Sequence, residues 1–431
     1  MRGIPLISGP RFYGWWIVGA GFVLEALMGA LFFHAYGAYV VVLRREFGWS
    51  KTMFSAAFAM ARAESGILGP VQGWLTDRFG PRTLIRIGLC IFGVGFMLFS
   101  QIGSPVTFFL TFFLMALGSS LGGYLPIAVA IVAWFRRRRS LALSISSTGM
   151  PIGGLLTQLV VLALTAFGWR WTAFLSGLAV LAIGLPTGRL VHHRPEARGE
   201  WPDGEPPTPS RTMASAATAL RASGVDFTPR EAMRTPALWY ISIGHGAALL
   251  VVSAVSVHLI VHLTEHLGYS LQRAAAVVAM MTVLQVVAQL GGGWAGDYFN
   301  KRAIVVGCMV AHAAGLLLLA SATAFPAVAA FAVLHGLAWG IRGPLMSAIR
   351  ADYFGSAAFG TITGISSMVV MFGMVGGPLI AGILADRTGS YELGFRILAG
   401  LAALGSVFFV LARRPSPPRR DPELPSPPNR G

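Results

Sequence analysis

Residues Gly73–Arg82 read GWLTDRFGPR, and a related stretch, GWAGDYFNKR, occupies residues Gly293–Arg302. Gly, Trp, Asp, Phe and Arg recur at the same five offsets in the two copies. Each copy ends one apolar segment of helix length and precedes another. A repeat of this kind predicts a chain that is built from two similar halves.

The composition is that of a protein that lies in a lipid bilayer. Hydrophobic residues make up 55% of the chain and charged residues 12%, whereas a soluble domain carries about 25% charged residues. Apolar runs of about 20 residues, the length that crosses the hydrocarbon core as a helix, can be placed twelve times. They are expected near residues 14–42, 53–76, 84–101, 105–134, 141–166, 171–191, 237–262, 274–296, 303–323, 327–349, 359–384 and 393–412. Because these runs are continuous and not alternating, they predict helices and exclude a transmembrane barrel.

The positions of Arg and Lys predict the orientation of the chain. With the N-terminus in the cytoplasm, 24 of the 33 basic residues fall on the cytoplasmic side, seven outside and two within helices. Short basic loops are retained in the cytoplasm, so both termini are expected there. The formal charge of +16 then reflects contact with anionic lipid head groups and needs no nucleic acid. Lys occurs only at Lys51 and Lys301, which is typical of a GC-rich bacterial genome and suggests the inner membrane.

The sequence thus predicts an all-α membrane protein with 12 transmembrane helices in two pseudo-symmetric six-helix bundles. Residues 1–12 are expected to be a short cytoplasmic lead, 13–191 the N-terminal bundle and 237–412 the C-terminal bundle. Residues 192–236 form a polar cytoplasmic linker, and its end, 228–231, reads as a capping box with Pro at the first helical position, which predicts a short surface helix. Residues 413–431 lack an apolar face and are expected to be a disordered cytoplasmic tail.

Three ionisable residues of the N-terminal half are expected within the bilayer. Glu25 lies about 16 Å along the first helix at 1.5 Å per residue, and Arg62 and Glu64 lie near mid-depth in the second. An ionisable group there costs several kcal/mol unless it faces a partner or a polar cavity. Arg62 and Glu64 are two apart and do not face each other, so a pair of Glu25 with Arg62 is attractive. The three are candidates for proton coupling, with a structural ion pair as the alternative.

An internal repeat places two candidate substrate-binding residues at equivalent positions. The pattern Gly118-x-x-x-Gly122-x-x-x-Pro126 returns as Gly336-x-x-x-Gly340-x-x-x-Pro344, and Gly at every fourth position lets helices approach closely. In this register Tyr124 corresponds to Arg342. One half therefore presents a phenol where the other presents a guanidinium.

Arg342 is the strongest candidate for binding an anion. It lies beside Trp339 in an otherwise apolar helix, and its permanently charged fork of donors suits a carboxylate, sulfonate or phosphate group. The alternatives are a structural bridge to Glu25 or Glu64, or snorkelling towards the cytoplasm.

The C-terminal half adds polar residues on two further helices. Gln285 and Gln289 are four apart and share one face of helix 8, where they can line a cavity or join helices. His258 and His262, near the outer end of helix 7, are candidates for proton sensing, although such pairs are usually only hydrated. No further ligands converge on them, so no metal site is predicted. The sequence has no nucleotide-binding loop and no nucleophile with a base, so neither an enzyme nor a cofactor is expected.

The repeated stretch resembles the loop between helices 2 and 3 of the major facilitator superfamily of transporters, which is echoed between helices 8 and 9. In that family the Asp caps a helix end, and the Arg residues hold neighbouring helices together at the cytoplasmic face. The resemblance implies a conformational role for Gly73, Asp77, Arg78, Gly80 and Arg82, and in the second copy for Asp297 and Arg302.

Two shorter stretches resemble the monocarboxylate transporter branch and its bacterial oxalate/formate antiporter relatives. They are the opening of helix 1, residues 13–16, and the aromatic-Phe-basic run at 134–143 that enters helix 5. Three positions depart from the branch. Helix 1 carries Glu25 in place of a mid-membrane Lys, helix 8 carries Gln285 and Gln289 where mammalian members have Asp and Arg, and helix 11 lacks the Lys of the oxalate exchangers.

These features predict a secondary active transporter that moves a small, monocarboxylate-like organic anion across the cytoplasmic membrane by alternating access. Arg342 would hold the anion, and Glu25 or Glu64 would bind a proton that loads with it. The expected partners are a small-molecule substrate, protons and the lipid bilayer, and the expected state is a monomer. The alternatives are a proton-driven exporter of cationic or amphipathic compounds, in which Glu25 and Glu64 bind the cation, and a transporter-like membrane sensor.

Overall fold

The computed structural model describes residues 12–205 and 226–418, and within them the chain is helical with no strand. Residues 1–11, 206–225 and 419–431, which cover most of the expected lead and tail and the middle of the expected linker, lie outside the described residues. The long helical segments are, in order, α1, Gly14–Phe47; α2, Lys51–Ile67 with Gly69–Phe79; α3, Pro81–Phe99; α4, Pro105–Gly122 with Tyr124–Trp134; α5, 139–167; α6, 169–188; α7, Pro236–His266; α8, Leu271–Tyr298; α9, Lys301–Ala320; α10, Phe325–Phe354; α11, Phe359–Thr388; and α12, Glu392–Leu411.

All of these segments except α2 lie in helical stretches with the length and composition of membrane spans. Ten continuous helical stretches of the described chain qualify by both criteria. One of them, Arg139–Gly188, comprises α5 and α6, which meet at Gly168 in the left-handed region with φ 76°. α2 is divided at Leu68 into two shorter helices. The predicted all-α fold with twelve spanning segments is confirmed.

Two hydrophobic cores lie one in each half. The first is formed almost entirely by residues between Ile17 and Val191, and the second by residues between Phe227 and Ala412. Before α7 the short helix Pro229–Met233 carries the predicted capping box, in which Thr228 Oγ1 accepts from the Glu231 N–H at 3.2 Å and Glu231 Oε2 accepts from the Thr228 N–H at 2.8 Å.

The two copies of the repeated stretch turn the chain by different means. Gly80, between α2 and α3, has φ 82°, a conformation that Gly adopts without steric cost. In the second copy Asn300 keeps an extended backbone, and its side chain accepts from the N–H groups of Arg302 and Ala303 at 3.0 and 3.2 Å. We call the end of the molecule that carries these two turns the motif end.

The halves are packed together at the motif end. A Cβ on Gly73 of α2 would overlap the carbonyl of Gly360 in α11, and Gly293 of α8 is equally close to the Ser144 side chain of α5. Within the described residues, the hydrogen bonds that join the halves lie between the motif end and the Tyr124–Ser347 pair. The two halves are therefore closed against each other on the motif side of the molecule.

Candidate functional site

A cavity of about 440 Å³ lies between the two halves and receives side chains from α2, α4, α5, α7, α8, α10 and α11. Its basic side chains include Arg342 and Arg350 of α10 and His245 of α7. We call this space the guanidinium lobe. It contains Arg342, as the sequence led us to expect, and Arg350, which we did not identify.

The Arg342 side chain is fully buried, and no carboxylate of the described chain forms an ion pair with it. Its exposed fraction is 0%, and its Nε and Nη1 atoms have no hydrogen-bond partner. The bridge to Glu25 or Glu64 that we considered is not formed. The ion pairs in the described chain involve other residues, namely Arg137–Glu205, Arg139–Asp352, Arg170–Glu46, Lys301–Asp352 and Arg396–Glu392.

Arg350 lies eight residues after Arg342 and is also buried. Its Nη2 lies 2.8 Å from Nδ1 of His245. A guanidinium cannot accept a hydrogen bond, so Nη2 donates and Nδ1 accepts, which places the proton of a neutral His245 on Nε2. The imidazole thus orients Arg350 without neutralising its charge.

A second, smaller space of about 210 Å³ adjoins the first and is formed mainly by α1, α2 and α4. Glu25 and Glu64 line it, and we call it the carboxylate lobe. Arg62 and Tyr124 line both lobes. Acidic side chains from the N-terminal half therefore adjoin a space that holds basic side chains from the C-terminal half.

Glu25 does not form the expected pair with Arg62. The Glu25 side chain is 2% exposed, and its Oε1 has no hydrogen-bond partner. The Arg62 guanidinium lies instead over the rings of Phe33 and Phe58, with its Cζ 5.3 and 4.9 Å from their centroids. Aromatic faces stabilise a cation, so Arg62 is held without a carboxylate.

Glu64 belongs to a buried polar network. Its Oε1 accepts from Gln72 Nε2 at 2.9 Å, and Ser120 Oγ donates to Gln72 Oε1 at 2.9 Å. The other carboxyl oxygen, Oε2, has no partner. Glu64 is therefore more constrained than Glu25.

The remaining candidate substrate-binding residues also line the guanidinium lobe. Trp339 and Gln285 contribute to its wall. The Tyr124 hydroxyl lies 2.8 Å from Ser347 Oγ, across the interface between α4 and α10. Gln289 Nε2 donates to Ser147 Oγ at 2.7 Å. Tyr124 and Gln289 thus both line the lobe and join the halves.

His258 and His262 lie away from both lobes. His258 contacts the Tyr391 hydroxyl at 3.2 Å and the Pro378 carbonyl oxygen at 3.0 Å, between α7, α11 and α12. His262 is buried against Phe395, with ring centroids 5.2 Å apart. Neither residue lines the lobes that hold Glu25 and Arg342.

The aspartates of the two repeated stretches bind equivalent helix ends across the interface. Asp77 accepts from the N–H groups of Gly360 and Thr361, at 2.9 and 2.7 Å, and from Thr361 Oγ1 at 2.7 Å. Asp297 accepts from the N–H groups of Ser140 and Leu141, at 2.8 and 3.1 Å. The first N–H groups of a helix lack intrahelical partners. Asp77 therefore caps α11, and Asp297 caps α5, in each case a helix of the other half.

The motif arginines differ in their contacts: those of Arg78 are local, whereas Arg302 joins α9 to the end of α12. The Arg78 guanidinium lies over the Trp74 and Phe79 rings, and Arg302 Nη1 donates to the Ala412 carbonyl at the end of α12 at 3.4 Å. Arg82 Nε is buried without a hydrogen-bond partner.

Sequence reasoning missed Arg350 as a site residue. The available signal was its spacing, because positions i and i+8 lie close to the same face of a helix with 3.6 residues per turn. No group of three or more His, Cys, Asp or Glu residues in the described chain is arranged to hold a metal ion.

Comparisons with known proteins agree with this architecture. The family model described as Major Facilitator Superfamily matches residues 21–270 and 241–430. A solved structure of the fucose:proton symporter FucP of E. coli superposes with a TM-score of 0.69 at 14% identity and covers 94% of this chain and 100% of that one. The chain belongs to the Major Facilitator Superfamily, whose members are transporters.

Within the superfamily the chain resembles the monocarboxylate branch. It is 28% identical over 423 residues to monocarboxylate transporter 11 of Mus musculus, covering 94% of this chain and 89% of that protein. It is 29% identical over 393 residues to the probable sulfoacetate transporter SauU of Cupriavidus necator, covering 85% and 87%.

Proposed function

We propose that this protein is a proton-coupled secondary transporter that carries an organic anion by alternating access. One observation carries the proposal. Arg342 is fully buried beside the central cavity, two of its nitrogens lack partners, and no carboxylate of the described chain pairs with it. A buried charge without a counter-charge is costly, and an anion in the cavity would offset that cost. Carboxylates and sulfonates match the guanidinium fork.

Glu25 is our candidate for the proton-binding group. Its Oε1 has no hydrogen-bond donor, and the carboxylate lobe adjoins the guanidinium lobe through Arg62 and Tyr124. An ionised Glu25 would compete electrostatically with the anion for the basic residues. Protonation removes that competition, so the proton and the anion would load together.

The motif end is proposed to face the cytoplasm, because most basic residues then lie on the cytoplasmic side. The lobes are then closed off from the cytoplasm at the motif end. We retain the proposed division into bundles at 13–191 and 237–412 with a linker at 192–236. Rocking of the bundles would expose the lobes to the cytoplasm once the contacts of Asp77 and Asp297 break.

The relatives support the substrate class. The names of the two sequence relatives describe transport of a monocarboxylate and of sulfoacetate, and both compounds carry groups that a guanidinium binds well. The inner membrane and the monomeric state remain proposals from the sequence.

Uptake into proteoliposomes tests the proposal. Labelled lactate and labelled sulfoacetate are added with and without an inward-acid pH gradient, and empty liposomes correct for passive entry of the neutral acid. We expect gradient-stimulated uptake by the intact chain and much slower uptake by Arg342→Gln at the same anion concentration. The matched control is Arg396→Gln, because Arg396 forms an i,i+4 pair with Glu392 on α12 and does not line either lobe.

Two outcomes would overturn the proposal. If Arg342→Gln transports as well as the intact chain, Arg342 is structural. If no organic anion enters under either condition, the two buried carboxylates favour the alternative, proton-driven export of cations. Export of a lipophilic cation that depends on Glu25 and survives Arg342→Gln would then establish it.

A further inference from the structure

The guanidinium lobe is larger than a short carboxylate requires. Its volume of about 440 Å³ falls within the range of pockets for drug-sized ligands, roughly 300–1,000 Å³. At about 30 Å³ for each water molecule, it corresponds to roughly fifteen water-sized groups. A carboxylate of two or three carbon atoms would leave most of this space filled with water.

The wall of the lobe is also less polar than its arginines suggest. Four methionines from both halves contribute to it, together with Trp339 and Val370; the methionines are Met150 of α5, Met346 of α10, and Met371 and Met374 of α11. Methionine is unbranched and polarisable, so such a wall adapts to apolar groups of different shapes. The apolar part of the wall contributes nothing to binding while it contacts only water. An apolar substrate would remove this surface from water, which favours binding.

We infer that the transported anion is amphipathic, with one carboxylate or sulfonate group on an apolar body of roughly ten non-hydrogen atoms. Arg342 and Arg350 hold the charged group, and the methionines and Trp339 surround the body. This inference rests on the proposed function, because it places the charged group at Arg342.

Sulfonates are the appropriate probes because they remain charged and do not cross bilayers as neutral acids. Binding of labelled methanesulfonate, butanesulfonate, hexanesulfonate and naphthalene-2-sulfonate is measured on the full chain in proteoliposomes. The same liposomes with Arg342→Gln give the background from partition into lipid. We expect Arg342-dependent affinity to rise roughly fourfold for each buried methylene, until the lobe is filled.

Variants of the wall separate binding in the lobe from partition into lipid. Met374→Ala is expected to weaken hexanesulfonate and naphthalene-2-sulfonate several-fold and to leave methanesulfonate unchanged. Met150→Ala, from the other half, is an independent second variant. The matched control is Met368→Ala, because Met368 lies on the same helix as Met374 but is 39% exposed and does not line the lobe.

The outcomes distinguish this inference from the proposed function. If methanesulfonate binds in an Arg342-dependent manner and longer sulfonates bind no better, the amphipathic substrate is wrong and anion transport stands. The inference is also overturned if affinity rises with the length of the sulfonate to the same extent in Met374→Ala, in Met150→Ala and in the intact chain. If no sulfonate shows Arg342-dependent binding, both proposals fall.

Discussion

The two halves differ most where they face the cavity and least where they meet at the motif end. In the N-terminal half the helices α1, α2 and α4 are each interrupted, at the π-helix Gly29–Phe33, at Leu68 and at Gly123. In the C-terminal half the equivalent helices α8 and α10 continue unbroken, and α7, the counterpart of α1, has a π-helical turn only at its end, His262–His266. At the motif end, by contrast, Asp77 and Asp297 make nearly the same contacts. The repeat has thus kept the contacts between the halves and changed the chemistry of the cavity.

The interruptions and the charges are physically related. A break frees backbone groups that must be satisfied by neighbours or by water in a cavity, and the carboxylate lobe lies at the breaks of α2 and α4. An unbroken α10 instead fixes Arg342 and Arg350 on a rigid element, about 12 Å apart along the axis. In the proposed mechanism, the C-terminal half therefore supplies a preorganised surface for the anion, and the N-terminal half supplies the carboxylates that bind protons.

The largest effect is expected in the guanidinium lobe. Arg342→Gln should weaken anion binding about 10- to 100-fold, because a hydrogen bond to a charged group contributes about 1.5–3 kcal/mol. Arg350→Gln should cost less, since its Nη2 is already engaged by His245. The measurement is the half-saturating concentration for uptake in proteoliposomes. Equal losses in the two variants would show that Arg342 has no special role, and Arg396→Gln should leave the value unchanged.

The next effect concerns the carboxylate lobe. Glu25→Gln should bind anion normally and lose the stimulation by an inward-acid gradient, so that uptake falls to the level without a gradient. Glu64→Gln should retain part of the stimulation, because Glu64 is hydrogen-bonded to Gln72 and is less free to exchange its proton. The ratio of uptake with and without the gradient measures this. If Glu25→Gln keeps the full ratio, Glu25 is not the coupling group.

A smaller effect is expected at the motif end. In Asp77→Asn and Asp297→Asn one acceptor oxygen is replaced by an NH₂ donor. Each variant should therefore lose part of a cap whose full removal costs about 0.5–2 kcal/mol, and should favour opening at the motif end. Asp77 accepts from three donors, including Thr361 Oγ1, so its variant should open more. Leu249 lines the guanidinium lobe, so a cysteine is introduced there by Leu249→Cys. Opening is measured as the rate at which an impermeant thiol reagent, added from the motif side, labels this cysteine.

That experiment needs a background without other thiols and a control. Cys90 and Cys308 are free and are first replaced by Ser. Asp386→Asn serves as the control, because Asp386 lies near the opposite end of α11 from Gly360. Labelling that is equally slow in all variants would show that the aspartate caps do not hold the motif end closed.

Sequence patterns foresaw the parts of this molecule that depend on short repeats. Two repeats can be read directly from the sequence: the stretches that begin at Gly73 and Gly293, and the spacing of Gly and Pro in α4 and α10. They predicted two similar halves. Glu25 and Arg342 were also identified as candidates because each is an ionisable residue in an apolar run, and they line the carboxylate lobe and the guanidinium lobe. Helices that are apolar on all sides do not specify which face turns inward, so sequence could not reveal that Arg62 rests on Phe33 and Phe58 and not on Glu25.

The histidines illustrate the same limit. His258 and His262 are four residues apart and share one face of α7. In the structure that face packs against Tyr391 and Phe395, away from the cavity. Arg350 was equally visible in the sequence, at the end of an apolar run where snorkelling is the ordinary expectation. Only tertiary packing distinguishes a buried Arg350 from an interfacial one.

The two described ends of the linker bind equivalent turns in the two halves, the turn before α5 and the turn before α11. Asp203 accepts from the N–H groups of Arg136 and Arg137, each at 3.1 Å, just before α5. Asp226 accepts from the N–H groups preceding α11, at Ser356 and Ala357, at 2.9 and 3.1 Å. The entry to each of these helices is thus bound by one aspartate from the other half and one from the linker.

The smallest effect is therefore expected for Asp203→Asn and Asp226→Asn. These contacts are exposed to solvent, so each should contribute no more than about 0.5–1.5 kcal/mol. Limited proteolysis should cut several-fold faster near residues 200–205 in Asp203→Asn and near residues 226–228 in Asp226→Asn, while uptake persists. If either variant speeds cutting at both ends, the linker acts as one unit that couples the halves. Cutting confined to the altered end means that each half holds its own end of the linker, and that coupling passes through Asp77 and Asp297 alone.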